Sequence, residues 1–260
     1  MMLNLKDKRV IVTGASSDIG CEIARGFMLE GARVVAHSHT NICPILDLQK
    51  EAKYYQVDYH ASPMAPIPTE PISIVADLTN QEERKSFIYN AIEELGGLDI
   101  LVNNAGDIFG PTNFLDLTVE SWRKTIALDL EAPFFLSREA FKHMRVHGGG
   151  KIINISSIAA KYGASETTMH YGAAKAGLES LTRGMARFGA PHKILVNTIQ
   201  LGVVDTKMHA KLGRDITERV KTIPLKRAAK PEEVANLCLF IASKHGDYMT
   251  GQIYPLTGGD

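Results

Sequence analysis

The stretch Arg9-Val10-Ile11-Val12-Thr13-Gly14-Ala15-Ser16-Ser17-Asp18-Ile19-Gly20 passes from a β-branched apolar run through a small polar turn into a helical pattern. Arg9 to Thr13 has the unbroken apolar character of a strand buried on both faces. Beyond the turn, Ile19, Ile23, Ala24, Phe27 and Met28 recur at helical spacing, and Gly31 stands where a C-cap belongs. A strand that runs through glycines into a helix brings backbone N–H groups and the positive end of a helix dipole to one spot. A pyrophosphate can sit there, because Gly14 and Gly20 allow close backbone approach. Taken alone the turn is a weak marker. It also reads as an ordinary strand–helix turn, with Ser17 or Asp18 serving the helix start.

The same alternation continues outward, which argues for βαβ units around a parallel sheet. Further strands are expected at Arg33 to Ala36, Ile72 to Ala76, Asp99 to Val102, Lys151 to Ile155, Ile194 to Ile199 and Gln252 to Leu256. Helical patterns cover Phe87 to Leu95, Tyr171 to Phe188, and Pro231 to Ala242 with its proline at the start. Ser121 to Met144 reads as one long helix in which Pro133 marks a kink or an edge. The segment 41–71 breaks the rhythm. Pro44, Pro63, Pro66, Pro68 and Pro71 make it a surface excursion in place of part of a crossover helix, with a functional lid as the alternative. No repeat or linker separates two cores, so residues 1–260 are expected to form one domain.

Lys+Arg and Asp+Glu both number 29, and the balance offers neither a nucleic-acid surface nor an anionic-membrane binder. Cys21, Cys43 and Cys238 have no metal or disulfide spacing, so no metal site is expected. The stretch Met1 to Arg9 is too charged for a signal peptide, and no apolar run reaches spanning length; a cytoplasmic location is expected.

Three later motifs strengthen the first. Asn103-Asn104-Ala105-Gly106 follows the fourth strand, Ser156-Ser157 ends the fifth, and Tyr171-Gly172-Ala173-Ala174-Lys175 opens the next helix. Tyr171 and Lys175 share a helical face, and an ammonium there can lower the pKa of a phenol toward that of a working acid or base. An isolated Tyr/Lys pair at this spacing is more often a solvated surface pair. In order with the other motifs, it is not. From Lys6 to Gly259 the chain resembles the short-chain dehydrogenase/reductase family, with Trp122, the run Val196 to Gly202, Thr206 and the ending Gly251-Gln252…Thr257-Gly258-Gly259 as further marks.

The resemblance implies a single Rossmann-type, doubly wound α/β domain with a seven-stranded parallel sheet and helices on both faces. It also implies a homotetramer or homodimer, and an NAD(P)-dependent enzyme that interconverts a carbonyl and a secondary alcohol. By the same resemblance Tyr171 carries the substrate proton, Lys175 holds the nicotinamide ribose and tunes Tyr171, and Ser157 binds the substrate oxygen. Gly14, Ser16, Ser17, Ile19 and Gly20 would cradle the dinucleotide, and Asp77 and Leu78 the adenine. Asn104, Ala105 and Gly106 would take the adenosine side, with Gly202 and Thr206 at the carboxamide end. Asp107, Ile108, Phe109, Lys161, Tyr162, Glu166, Met169 and His170 would line the substrate pocket, a mix that suits a sugar, a polyol or a keto-ester.

Five departures stand out. A family glycine is replaced by Asp18, which is tolerable if the side chain turns outward to cap the helix. The Asn expected seven residues after Trp122 is Asp129, which can pair with Lys175 and blunt its effect on Tyr171. Leu201 stands where a proline is usual, and the step from Ser157 to Tyr171 is about one residue longer than the family's. At the cofactor's adenosine end, Ser38 replaces the acid of an NAD site, which favours NADP with NAD as the alternative. His37 and His39 could meet a 2′-phosphate there, although no Arg or Lys does.

Two other functions remain open. One is a 3-oxoacyl-carrier reductase, although a carrier protein would call for a basic rim and no clear basic cluster stands out. The other is a silent dinucleotide-binding protein, supported only by Asp18 and Asp129 and opposed by intact Ser157, Tyr171 and Lys175.

Overall fold

The seven strands form one parallel sheet in the order β3-β2-β1-β4-β5-β6-β7. They are β1 (Arg9–Val12), β2 (Arg33–Ser38), β3 (Ile72–Val75), β4 (Ile100–Asn103), β5 (Gly150–Ser157), β6 (Ile194–Leu201) and β7 (Ile253–Leu256). The computed structural model describes residues 3–58, 67–110, 112–211, 213 and 215–260. The helices are α1 (Asp18–Leu29), α2 (Cys43–Asp58), α3 (Gln81–Leu95), α4 (Val119–Ile126), α5 (Ala132–Val146), α6 (Ala159–Tyr162), α7 (Met169–Gly189), α8 (Lys207–Lys211), α9 (Ile216–Thr222) and α10 (Pro231–Ala242). Among the described residues no helix is long and apolar enough to cross a membrane.

Alternation along the strands feeds two cores. Val10 and Val12 pack with Ile23 and Phe27 of α1, Ile45 and Leu48 of α2, and Val234 and Leu239 of α10. Ile11 faces the other side with Phe87 and Ile88 of α3 and Leu136, Phe141 and Met144 of α5. The strand order reverses between β1 and β4, and the strands' C-terminal ends part there to open a crevice.

Two expectations need correction. The proline-containing segment is not devoid of helix: Cys43–Asp58 forms α2. Pro44 lies in the first turn, where its missing N–H breaks no intrahelical bond, and Ile45, Leu48 and Ala52 are buried at helical spacing. Pro68 and Pro71 lie in the irregular approach to β3, and Pro63 and Pro66 lie outside the described residues. The stretch Ser121 to Met144 is not one regular helix either. A π-turn at Ala127–Glu131 separates α4 from α5, with Ala132 N–H donating to the Ala127 carbonyl. Pro133 follows directly and brings neither a donor nor room for the carbonyl of Asp129 in a regular turn, so the wider π-turn relieves the conflict.

Candidate active site

The turns after β1 and β4 are locked together. Thr13 Oγ1 accepts from the N–H groups of Asn104 and Ala105, both at 3.0 Å, and Asn104 Nδ2 donates to the Thr13 and Gly14 carbonyls at 3.0 and 3.1 Å. Gly14 has φ +64°, and a Cβ on Gly20 would overlap the Gly14 carbonyl oxygen, so neither position tolerates a side chain. The turn thus presents bare backbone at the N-terminus of α1. Ser17 caps α1, its hydroxyl accepting from Gly20 N–H at 3.1 Å. Asp18 does not cap the helix as expected; its carboxylate accepts from Lys207 N–H at 2.7 Å.

A cleft of about 800 Å³ opens beside this turn, lined by Ser16, Ser17, Ile19, Asn104, Gly106, Ser157, Tyr171, Lys175, Gly202 and Thr206. An adjoining hollow is bordered by Gly14, Ala105, Asp77, Leu78 and His39. Glycine-bared backbone, a helix N-terminus and a long cleft at the switch point fit a dinucleotide.

At the cleft's inner end α7 is fixed by a buried polar chain. Asn103 Nδ2 donates to Asn154 Oδ1, and Asn154 Nδ2 donates to Thr182 Oγ1, each at 2.8 Å. Ser156 is turned into the protein, donating to Glu179 at 2.8 Å. Ser157 faces the cleft and lies in hydrogen-bonding reach of the Tyr171 hydroxyl, so the longer step from serine to tyrosine does not separate them.

Lys175 and Asp129 form a buried ion pair, with Nζ 3.0 Å from Oδ1 and side-chain exposures of 4% and 0%. The ammonium also donates to the Ile155 carbonyl at 3.0 Å and lies 5.5 Å from the Tyr171 ring centre. The π-turn aims Asp129 inward, and Gly106 leaves room for it: a Cβ on Gly106 would stand 2.5 Å from Oδ1. Burial pushes the Asp129 carboxyl up despite its lysine partner. For Lys175 burial opposes the charge, yet Asp129 and Tyr171 hold its pKa above the usual lysine value. Burial also raises the Tyr171 phenol and the Asp129 charge adds to the rise, outweighing the opposite pull of Lys175 and Ser157. The ammonium therefore does not bring the phenol below its ordinary value, because burial, with the carboxylate's charge added, outweighs its field.

The adenosine end differs from expectation at two residues. Ser38 is 0% exposed and turned away from the cleft, its hydroxyl without a hydrogen-bond partner. His37 is buried. Its Nδ1 accepts from Gly14 N–H at 3.0 Å, so Nε2 carries the proton and donates to the Ala76 carbonyl at 3.0 Å. Burial lowers its pKa to about 4. His37 is thus a neutral brace for the glycine turn and cannot meet a phosphate as a cation. His39 is exposed at the rim, 4.0 Å from Asp77 Oδ2. Hydrogen bonds from Thr79 hold Asp77 below the usual carboxylate range although burial opposes its charge.

Of the expected pocket residues, Ile108 lines the main cleft, while Asp107 and Phe109 border the hollow. His170 is buried against the Phe109 carbonyl at 3.0 Å, while Lys161 and Tyr162 in α6, Glu166 in the loop after it and Met169 at the start of α7 are exposed. The cleft also gathers Asp205, Lys207, Met208 and His209, which no local pattern in the sequence marks.

A doubly wound sheet with this cleft and this Ser–Tyr–Lys convergence defines a dinucleotide-dependent oxidoreductase of α/β type. The family model described as enoyl-(acyl carrier protein) reductase matches residues 14–259, and the chain belongs to the short-chain dehydrogenase/reductase family. It is 32% identical over 258 residues to the 3-oxoacyl-(acyl-carrier-protein) reductase of Thermotoga maritima, covering 99% of each chain. It is 31% identical over 255 residues to the acetoacetyl-CoA reductase of an Acinetobacter species, covering 98% of each. Among solved structures, a short-chain dehydrogenase from Burkholderia cenocepacia J2315 in complex with NADP superposes with a TM-score of 0.85 at 27% identity, covering 98% of each chain.

Proposed function

We propose that this enzyme interconverts a carbonyl and a secondary alcohol with NADP(H), Tyr171 handling the proton. The observation that carries the reading is the convergence of Ser157, Tyr171 and Lys175 at the inner end of the cleft. When bound, the nicotinamide supplies or accepts the hydride at the carbon that bears the oxygen. Ser157 donates a hydrogen bond to that oxygen, and Tyr171 gives it a proton in reduction or removes one in oxidation. Lys175 holds positive charge beneath the ring, and Asp129 and Tyr171 together favour that charge against burial. The raised pKa of Tyr171 keeps the phenol protonated, the form that reduction requires. NADP is favoured because His39 is exposed at the rim, with relatives solved with NADP in support.

A second reading narrows the substrate to a 3-oxoacyl thioester, favoured by full-length similarity to two enzymes of that chemistry. A panel of acetoacetyl-CoA, a small keto-ester and keto-sugars, followed by NADPH consumption, separates the two. Tyr171→Phe is expected to bind NADPH as the wild type does and to lose turnover. A variant retaining more than a few per cent of the rate would remove Tyr171 from the proton-transfer role.

A further inference from the structure

Asp18 occupies a turn position at which the family carries glycine, and its carboxylate reaches across the cleft. Oδ2 accepts from the backbone N–H of Lys207 at 2.7 Å, and Oδ1 lies 3.9 Å from Lys207 Nζ. The lysine side chain is 94% exposed, so the backbone bond is the substantial contact. The two partners belong to opposite walls: Ser16 to Ile19 on one side, Asp205 to His209 on the other.

The segment after β6 is also tied at its root, where Asp205 N–H donates to the Ala229 carbonyl at 2.8 Å and Ala229 N–H to the Val203 carbonyl at 2.9 Å. Between the root and the Asp18 contact the chain carries Thr206, and just beyond it Met208 borders both the main cleft and the adjoining hollow. The five-residue α8 is too short to hold this position by its own helical bonds.

We propose that Asp18 is a positioning residue that ties the Thr206–His209 segment across the cleft and so governs how fast the dinucleotide enters and leaves, an inference that rests on the dinucleotide reading above. A glycine at this position could not make the tie. The carboxylate also adds negative charge near the place of a diphosphate, and that effect must be separated from tethering. Asn keeps an acceptor without the charge, whereas Gly removes both.

Wild type, Asp18→Asn and Asp18→Gly are compared by two measurements. Amide exchange of Lys207 in the dinucleotide-free protein is expected to speed up by about tenfold or more in Asp18→Gly and to stay within about threefold of wild type in Asp18→Asn. Stopped-flow NADPH release is expected to be about five- to tenfold faster in Asp18→Gly, with Asp18→Asn again near wild type. Equal Lys207 exchange in wild type and Asp18→Gly overturns the tie. Unchanged NADPH release in Asp18→Gly, or release from Asp18→Asn as fast as from Asp18→Gly, overturns its control of the dinucleotide. Failure of the wild type to bind NADPH overturns the dinucleotide reading and this role with it, whatever the Lys207 exchange shows of the tie itself.

Discussion

Asp129→Asn is expected to move the pH dependence of catalysis by about one unit. The carboxylate is fully buried 3.0 Å from Lys175 Nζ, and that nitrogen is 5.5 Å from the Tyr171 ring centre. Those distances put the carboxylate no farther than about 8.5 Å from the ring, where two unit charges at an effective dielectric constant of about 20 interact by ~2 kcal/mol. At about 1.4 kcal/mol per pKa unit, this corresponds to a shift on the order of one unit. The sign follows from the charges: Asp129 raises the Tyr171 pKa, so Asn lowers it, with Tyr171 remaining as the partner that favours the charge on Lys175. The basic limb of kcat/KM for alcohol oxidation therefore shifts to lower pH, because the phenolate base forms earlier. For carbonyl reduction the variant loses rate at a lower pH than the wild type, because the phenolic acid is spent earlier. The assay is a pair of pH profiles with saturating cofactor, read as properties of the coupled Tyr–Lys–Asp group. An unchanged or upward-shifted limb in Asp129→Asn would refute the argument.

At the adenosine end, His39→Asp is expected to raise the ratio of kcat/KM for NAD over NADP by about tenfold, since a rim carboxylate repels a 2′-phosphate; an unchanged ratio removes His39 from that contact. Ser38→Asp is expected instead to lower stability by about 3 kcal/mol, because its side chain is fully buried. Urea unfolding checks this, and a stable variant with altered cofactor preference would place Ser38 at the ribose after all. Gly20→Ala forces a Cβ into the Gly14 carbonyl and is expected to reduce stability by about 1–3 kcal/mol and to weaken NADPH binding in a fluorescence titration. Wild-type values for both would mean the turn is looser than its packing indicates.

Much of this protein is legible one segment at a time. The strands and principal helices announce themselves by apolar period, and the turn at Gly14, the Asn104–Gly106 corner and the Tyr171/Lys175 face stand within a few residues of recognisable boundaries. Proline crowding hides α2, because Pro44 reads as a breaker although a first turn accepts it and Ile45, Leu48 and Ala52 keep the helical period. The long helix concealed its π-turn because Pro133 marks only that something must give, not how. By itself the sequence determined the alternating α/β order, which rests on local period, and its motifs carried the resemblance that marked the family and the candidate site residues. The tertiary structure decided what those residues face: Ser156 inward and Ser157 into the cleft, Ser38 away from it, His37 neutral beneath the turn, and Asp18 on Lys207. Each of these depends on contacts between segments far apart in the chain, and a side chain's charge and direction are set by such neighbours and not by its own local pattern.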